Sequence, residues 1–232
     1  MTSSLYVMYA NAFVQHKADM LPIDQYELQN SEYKRAKMHY VRGRNYAMEV
    51  FEQRYPGFSK NILSTDEQLI AHAVSKVQVA DVDAAYWLGA SWLGAWSVDP
   101  LDPFLLPTVS GAVALLEKAA LLDPSYNEGA IWDILTSFYA GAPSDFGGSM
   151  ERALEVHQLA LTASKGLTPG PYVTYAKSIC ITLQDYDGFD AALEKALSIN
   201  PDDNPSTRLA TIISQEKARF LQNNRENYFI FW

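Results

Sequence analysis

Residues 116–124 read Leu116-Glu117-Lys118-Ala119-Ala120-Leu121-Leu122-Asp123-Pro124, and residues 193–201 read Leu193-Glu194-Lys195-Ala196-Leu197-Ser198-Ile199-Asn200-Pro201. Glu, Lys, Ala and Pro stand in the same register in both. Each phrase has the pattern of the last turns of an amphipathic helix stopped by proline, which lacks the N–H and clashes with the preceding turn. The small alanine lets a neighbouring helix come close. The interval between the phrases holds about two repeats of the ~34–40-residue helix-pair kind. A weaker copy falls between them at residues 153–161, Ala153-Leu154-Glu155-Val156-His157-Gln158-Leu159-Ala160-Leu161.

Repeated helix pairs of this length are the pattern of a tetratricopeptide-like array. The expected fold is all-α, a superhelical array of antiparallel helix pairs in degenerate tetratricopeptide-like repeats. Residues 1–232 are expected to form a single α-solenoid domain, because such an array grows in one dimension.

Outward from the repeats, the pattern predicts helices over 3–18, 25–54, 64–77, 82–98, 104–122, 126–139, 149–164, 171–183, 186–199 and 205–227. Ser64 with Glu67, and Ser125 with Glu128, are spaced as capping boxes. Asp81 is placed to cap the helix at Val82, and Asn204-Pro205 to open the last one. Tyr55-Pro56-Gly57-Phe58 ends the long helix. Gly166 suits a left-handed C-cap and Pro171 a first helical turn. Residues 141–148 are a loop by composition.

The net charge is −9, with 18 basic against 27 acidic residues, and charged residues make up 19% of the chain. No basic cluster supports a nucleic-acid partner, and anionic membrane surfaces are disfavoured for the same reason. The single cysteine, Cys180, forms no intrachain disulfide. Its neighbours Ile179, Ile181 and Leu183 predict a buried apolar role. No stretch approaches the ~18 apolar residues of a membrane span. Residues 1–8 lack the basic-then-apolar pattern of a leader. That leaves two readings open, a cytosolic chain or one whose leader has been cut away.

Catalytic and metal constellations do not emerge. His16, His39, His72 and His157 stand in separate helices without ligand spacing. Gly147-Gly148 is no phosphate loop, and Asp202-Asp203 belongs to a turn. No metal site, cofactor or catalytic residue is expected, and the chain is read as a non-enzyme.

The aromatic residues carry the interest. Tyr86-Trp87-Leu88-Gly89-Ala90-Ser91-Trp92-Leu93-Gly94-Ala95-Trp96 puts Trp92 and Trp96 on one helical face beside small residues. A tryptophan buries ~150–250 Å², worth roughly 4–6 kcal/mol at most. Two readings remain open for Trp87, Trp92, Trp96 and Trp132: packing between helices, or lining a non-polar cavity. Tyr86, Tyr139, Tyr172 and Tyr175, apolar with polar tips, fit a ligand pocket. The tail Tyr228-Phe229-Ile230-Phe231-Trp232 either folds back on the last helix or meets another subunit.

Several blocks in order resemble a known family. They are Arg42-Gly43-Arg44-Asn45-Tyr46-Ala47, Tyr86-Trp87 with Trp92 to Trp96, Leu116-Glu117-Lys118-Ala119, Gly129-Ala130 and Gly147-Gly148. Gly170-Pro171-Tyr172-Val173-Thr174-Tyr175-Ala176, Gln184-Asp185 and Arg208-Leu209 follow. The chain resembles the T-component (TatT) of tetratricopeptide-associated TRAP transporters. That resemblance implies a periplasmic, lipid-anchored, homotrimeric accessory subunit. It implies association with the substrate-binding P-component. It also implies a non-polar pore for hydrophobic ligands, such as lipids or small organic acids. The family's lipobox cysteine is absent from this chain. The rival expectation is a peptide-binding repeat scaffold with no small-molecule ligand.

Overall fold

The structure, a computed structural model, describes residues 1–230, with the backbone only at Ile23. Among the described residues every regular element is helical, and the helices pack on one another as an all-α array of the expected kind. The chain divides into two compact units, Met1–Asp123 and Pro124–Trp232.

In the N-terminal unit, α1 (Thr2–Tyr9) runs through a π-helical stretch, Ala10–Gln15, into α2 (His16–Asp19). The long α3 (Tyr26–Arg54) then packs mainly on α6 (Val82–Val98) and α1. Gly43 makes the α1 contact close, since a Cβ there would lie 3.1 Å from Val7 Cγ2. Gly94 of α6 admits the Tyr40 ring of α3 in the same way.

Tyr55-Pro56-Gly57 ends α3 as expected, with Gly57 at φ 84°. The Glu52 carboxylate accepts from the Gly57 and Ser59 amides at 2.7 and 2.8 Å and from the Ser59 hydroxyl at 2.6 Å. These bonds hold its carboxyl below the usual range. They start a short helix, α4 (Phe58–Ile62), that hydrophobic periodicity did not disclose. α5 (Glu67–Ser75) and α7 (Val109–Leu122) then pair.

The capping boxes expected from spacing do not form. At α5 the cap is Asp66, which accepts from the Gln68 amide at 2.8 Å, while Ser64 Oγ accepts from Asp66 N. Asp81 stands at the N-cap position of α6 but makes no side-chain bond into it, completing instead a capping box with Gln78 in the turn before. It is buried, accepts from the Gln78 amide at 2.9 Å, and is held by the Tyr55 hydroxyl at 2.6 Å and by Arg54. A buried carboxylate gains more from a cation and a phenol than from one more amide.

In the C-terminal unit, α8 (Ala130–Gly141) starts four residues later than the pattern indicates. Asn127, Glu128 and Gly129 have φ of 46°, 56° and 85°, so Glu128 cannot reach back to Ser125. Glu128 instead accepts from Asn204 Nδ2 at 3.0 Å. α8 packs on α9 (Met150–Ala163), capped by Ser149. Gly166 has the expected left-handed conformation, φ 67°.

α10 (Gly170–Thr174) continues through a second π-helical stretch, Tyr175–Cys180, into α11 (Ile181–Leu183). α12 (Tyr186–Ser198) and α13 (Arg208–Asn223) complete the unit. Asn204-Pro205 does not open α13. The Asn204 side chain closes a turn on Ser206, and the helix begins three residues beyond Pro205.

A hydrophobic cluster gathers Val173, Cys180, Phe189, Leu193, Ala218 and Phe229. Cys180 is fully buried as expected, and burial pushes its thiol up to about 12. The described part of the tail folds back onto α12, within a cluster that also takes in Ala218 and Leu221 of the last helix. The Phe229 ring meets Phe189 at 5.0 Å and Tyr186 at 5.4 Å, both edge-on. Phe231 and Trp232 lie outside the described residues.

Candidate functional site

The eight aromatic candidates divide between the two units and, within each, into buried and accessible rings. In the N-terminal unit, Trp92 is fully buried and Trp96 nearly so, on the shared face of α6 that their spacing indicates. The indole of Trp92 donates to Thr108 Oγ1 at 3.2 Å, which satisfies its polar edge inside the core. Tyr86 and Trp87, one turn earlier, are only half-buried. Their rings meet edge to face at 4.8 Å, and Trp87 donates to Asp83 at 3.2 Å.

In the C-terminal unit, Trp132 and Tyr139 are buried on α8. Trp132 donates to the Pro124 carbonyl at 2.9 Å, and the Arg152 guanidinium lies 6.0 Å over the Tyr139 ring. Tyr172 and Tyr175 stay half-buried on the Gly-Pro-Tyr-Val-Thr-Tyr-Ala block. The Tyr172 hydroxyl points at the Gly166 carbonyl, 3.5 Å away. Tyr175 opens the π-helical stretch and stacks on His157 at 4.7 Å, with 20° between the planes.

Trp92, Trp96, Trp132 and Tyr139 are therefore buried within their own units. Tyr86, Trp87, Tyr172 and Tyr175 keep accessible surface. None of the eight lines the apolar groove of about 400 Å³ between α5 and α7, which Ile70, Val74, Ala114 and Leu121 border.

Three polar residues that aromatic patterning missed stand beside these rings. Arg44 of α3 lies with its guanidinium 5.4 Å over the buried Trp92 ring. Burial lowers its pKa, with Asp102 acting in the other direction. Asp133, next to Trp132, has a buried Oδ1 without a hydrogen-bond partner. Burial pushes its carboxyl up to about 6, against the Thr174 hydrogen bond and the Lys217 charge. His157 is 3% exposed with Nδ1 unpartnered, and burial pushes its imidazole down to about 4. Asp133 was legible as a lone acid in an apolar run, and Arg44 as a cation in a conspicuous Arg-Gly-Arg block. His157 carried no signal beyond its helical register.

Among the described residues no group of His, Cys, Asp and Glu side chains is arranged to hold a metal ion. None of their helices is long and apolar enough to cross a membrane.

An uncharacterized protein of Treponema pallidum (strain Nichols) is 43% identical to this chain over 226 residues, covering 97% of this chain and 70% of that protein. The model of the family described as TRAP transporter T-component matches residues 1–229, from the first helix through the α12-bound Phe229. The chain belongs to the T-component family of TRAP transporters.

Proposed function

We propose that this chain is a non-catalytic accessory subunit of a tripartite periplasmic transporter that binds the substrate-binding P-component and carries a hydrophobic small ligand. The observation that carries the reading is the family match over residues 1–229. The half-buried rings support the ligand part. Tyr86 and Trp87 in one unit, and Tyr172 and Tyr175 in the other, offer apolar surface with polar tips, as ligand sites do. The proposal includes a periplasmic, lipid-anchored native form and a homotrimer, both implied by the family rather than by any contact seen here.

Calorimetric titration with a TRAP-type substrate-binding protein from the same organism tests the partner claim. Saturable binding is expected, and no heat at tens of micromolar would overturn it. Organic extraction of the purified chain tests the ligand claim: co-extracted lipid or another apolar small molecule supports it. A chain that yields none, and takes up none from a lipid mixture, leaves the repeats as a peptide-binding scaffold.

A further inference from the structure

The Arg42-Gly43-Arg44 block has a use that packing does not exhaust. Gly43 draws α3 against α1, and the next residue projects a guanidinium over the Trp92 ring. Among the described residues, Arg44 makes no ion pair. The carboxylate that acts on it, Asp102, is engaged elsewhere. Lys37 binds Asp102 Oδ2, and the amides of Phe104 and Leu105 donate to Oδ1 at 2.7 and 2.9 Å. A guanidinium carries five donors in a planar fork that matches a carboxylate. Here one is half-buried, lies over an aromatic face, and has no acceptor among the described residues.

The loop that carries Asp102 also carries apolar side chains. Thr108, which receives the Trp92 indole N–H, closes a loop by donating to the Leu105 carbonyl at 2.8 Å. That loop leaves Leu101 and Phe104 each 83% exposed. A cation beside the loop that carries these uncovered apolar side chains suits a ligand with an anionic head and an apolar body.

We propose that Arg44 is the headgroup anchor of a binding site for a carboxylate-headed amphiphile, with the Leu101–Phe104 loop covering its apolar part. This rests on the reading of the chain as a carrier of hydrophobic ligands and adds to it the charge of the ligand and the residue that receives it. The alternative role for Arg44, a lid over Trp92 with its head in water, predicts no preference for an anion.

The test is calorimetric titration of the full chain with decanoate, decanol and acetate. Decanoate is expected to bind about tenfold or more tighter than decanol, the margin of a charge-assisted bidentate pair. Acetate, lacking the apolar body, should bind too weakly to compete. Arg44→Gln should abolish the decanoate margin and leave decanol binding unchanged, and Arg44→Lys should keep part of the margin. If Arg44→Gln fails to fold, the decanoate-to-decanol ratio of the unaltered chain decides. Equal binding of the two amphiphiles, or a margin that survives Arg44→Gln, overturns the anchor and leaves the hydrophobic-ligand reading standing. Binding of neither overturns that reading itself.

Discussion

At the scale of single residues, two buried groups set opposing pH dependences in the C-terminal unit. Asp133 has a folded pKa of about 6, above its ordinary 3.8, so the folded state keeps a proton that the unfolded chain releases. Its contribution favours folding below pH ~4 and is lost as pH rises through ~6. His157 has a folded pKa of about 4, below its ordinary 6.5, so the unfolded chain takes a proton that the folded state refuses. Its contribution is present above pH ~6.5 and is lost as pH falls towards ~4. Each contribution amounts to about 3 kcal/mol over its full window, and in the wild type the two oppose each other over nearly the same pH range. Urea unfolding at pH 4.5 and 6.5 should separate them. Relative to wild type, His157→Phe should lose about 2 kcal/mol on going to the higher pH, and Asp133→Asn should gain about as much. Variants that run parallel to wild type would contradict these assignments.

Two glycines give a sharper contrast at the same scale. A Cβ on Gly111 of α7 would run into the Ile62 carbonyl oxygen, part of the backbone that ends α4. Gly111→Ala should cost about 2–3 kcal/mol by forcing the two helices apart. Gly141, in the last turn of α8, has nothing within 4 Å of such a Cβ. Gly141→Ala should stabilise by roughly 0.5 kcal/mol, through the unfolded chain. Urea midpoints of both variants check the pair.

Among the elements, the join of the tail to α12 is the most exposed to test. Phe229 is 7% exposed and touches both Phe189 and Tyr186. Phe229→Ala should destabilise the C-terminal unit by about 3 kcal/mol, in the range of buried phenylalanine truncations. A change below about 1 kcal/mol would mean that the tail is not docked.

The long elements were legible in the sequence because the repeated Leu-Glu-Lys-Ala phrase and the proline stops act locally. α7, α9 and α12 lie where that phrase places them. What escaped was set by tertiary partners. Glu128 gave up its capping role for Asn204, 76 positions away. Asp81 makes a capping box with Gln78, one turn before α6, and also binds Arg54 at the end of α3 and Tyr55 just beyond it. The two π-helical stretches, Ala10–Gln15 and Tyr175–Cys180, sit inside runs that read as ordinary helix, because one wider turn leaves the hydrophobic pattern almost unchanged. The aromatic candidates were legible as residues. Which of them stay accessible depends on packing, so Trp92 and Tyr86, six positions apart on one helix, have different fates.

For the whole molecule, the match to the T-component family ties the chain to a transporter and gives the helical array a purpose beyond stability. The central claim, that the chain works by holding the substrate-binding component, is tested most directly by native mass spectrometry. The chain would be measured alone and mixed with a TRAP-type substrate-binding protein from the same organism. A trimer that gains the mass of that partner in whole-number steps is the predicted result. A monomer whose spectrum is unchanged by the partner would contradict it.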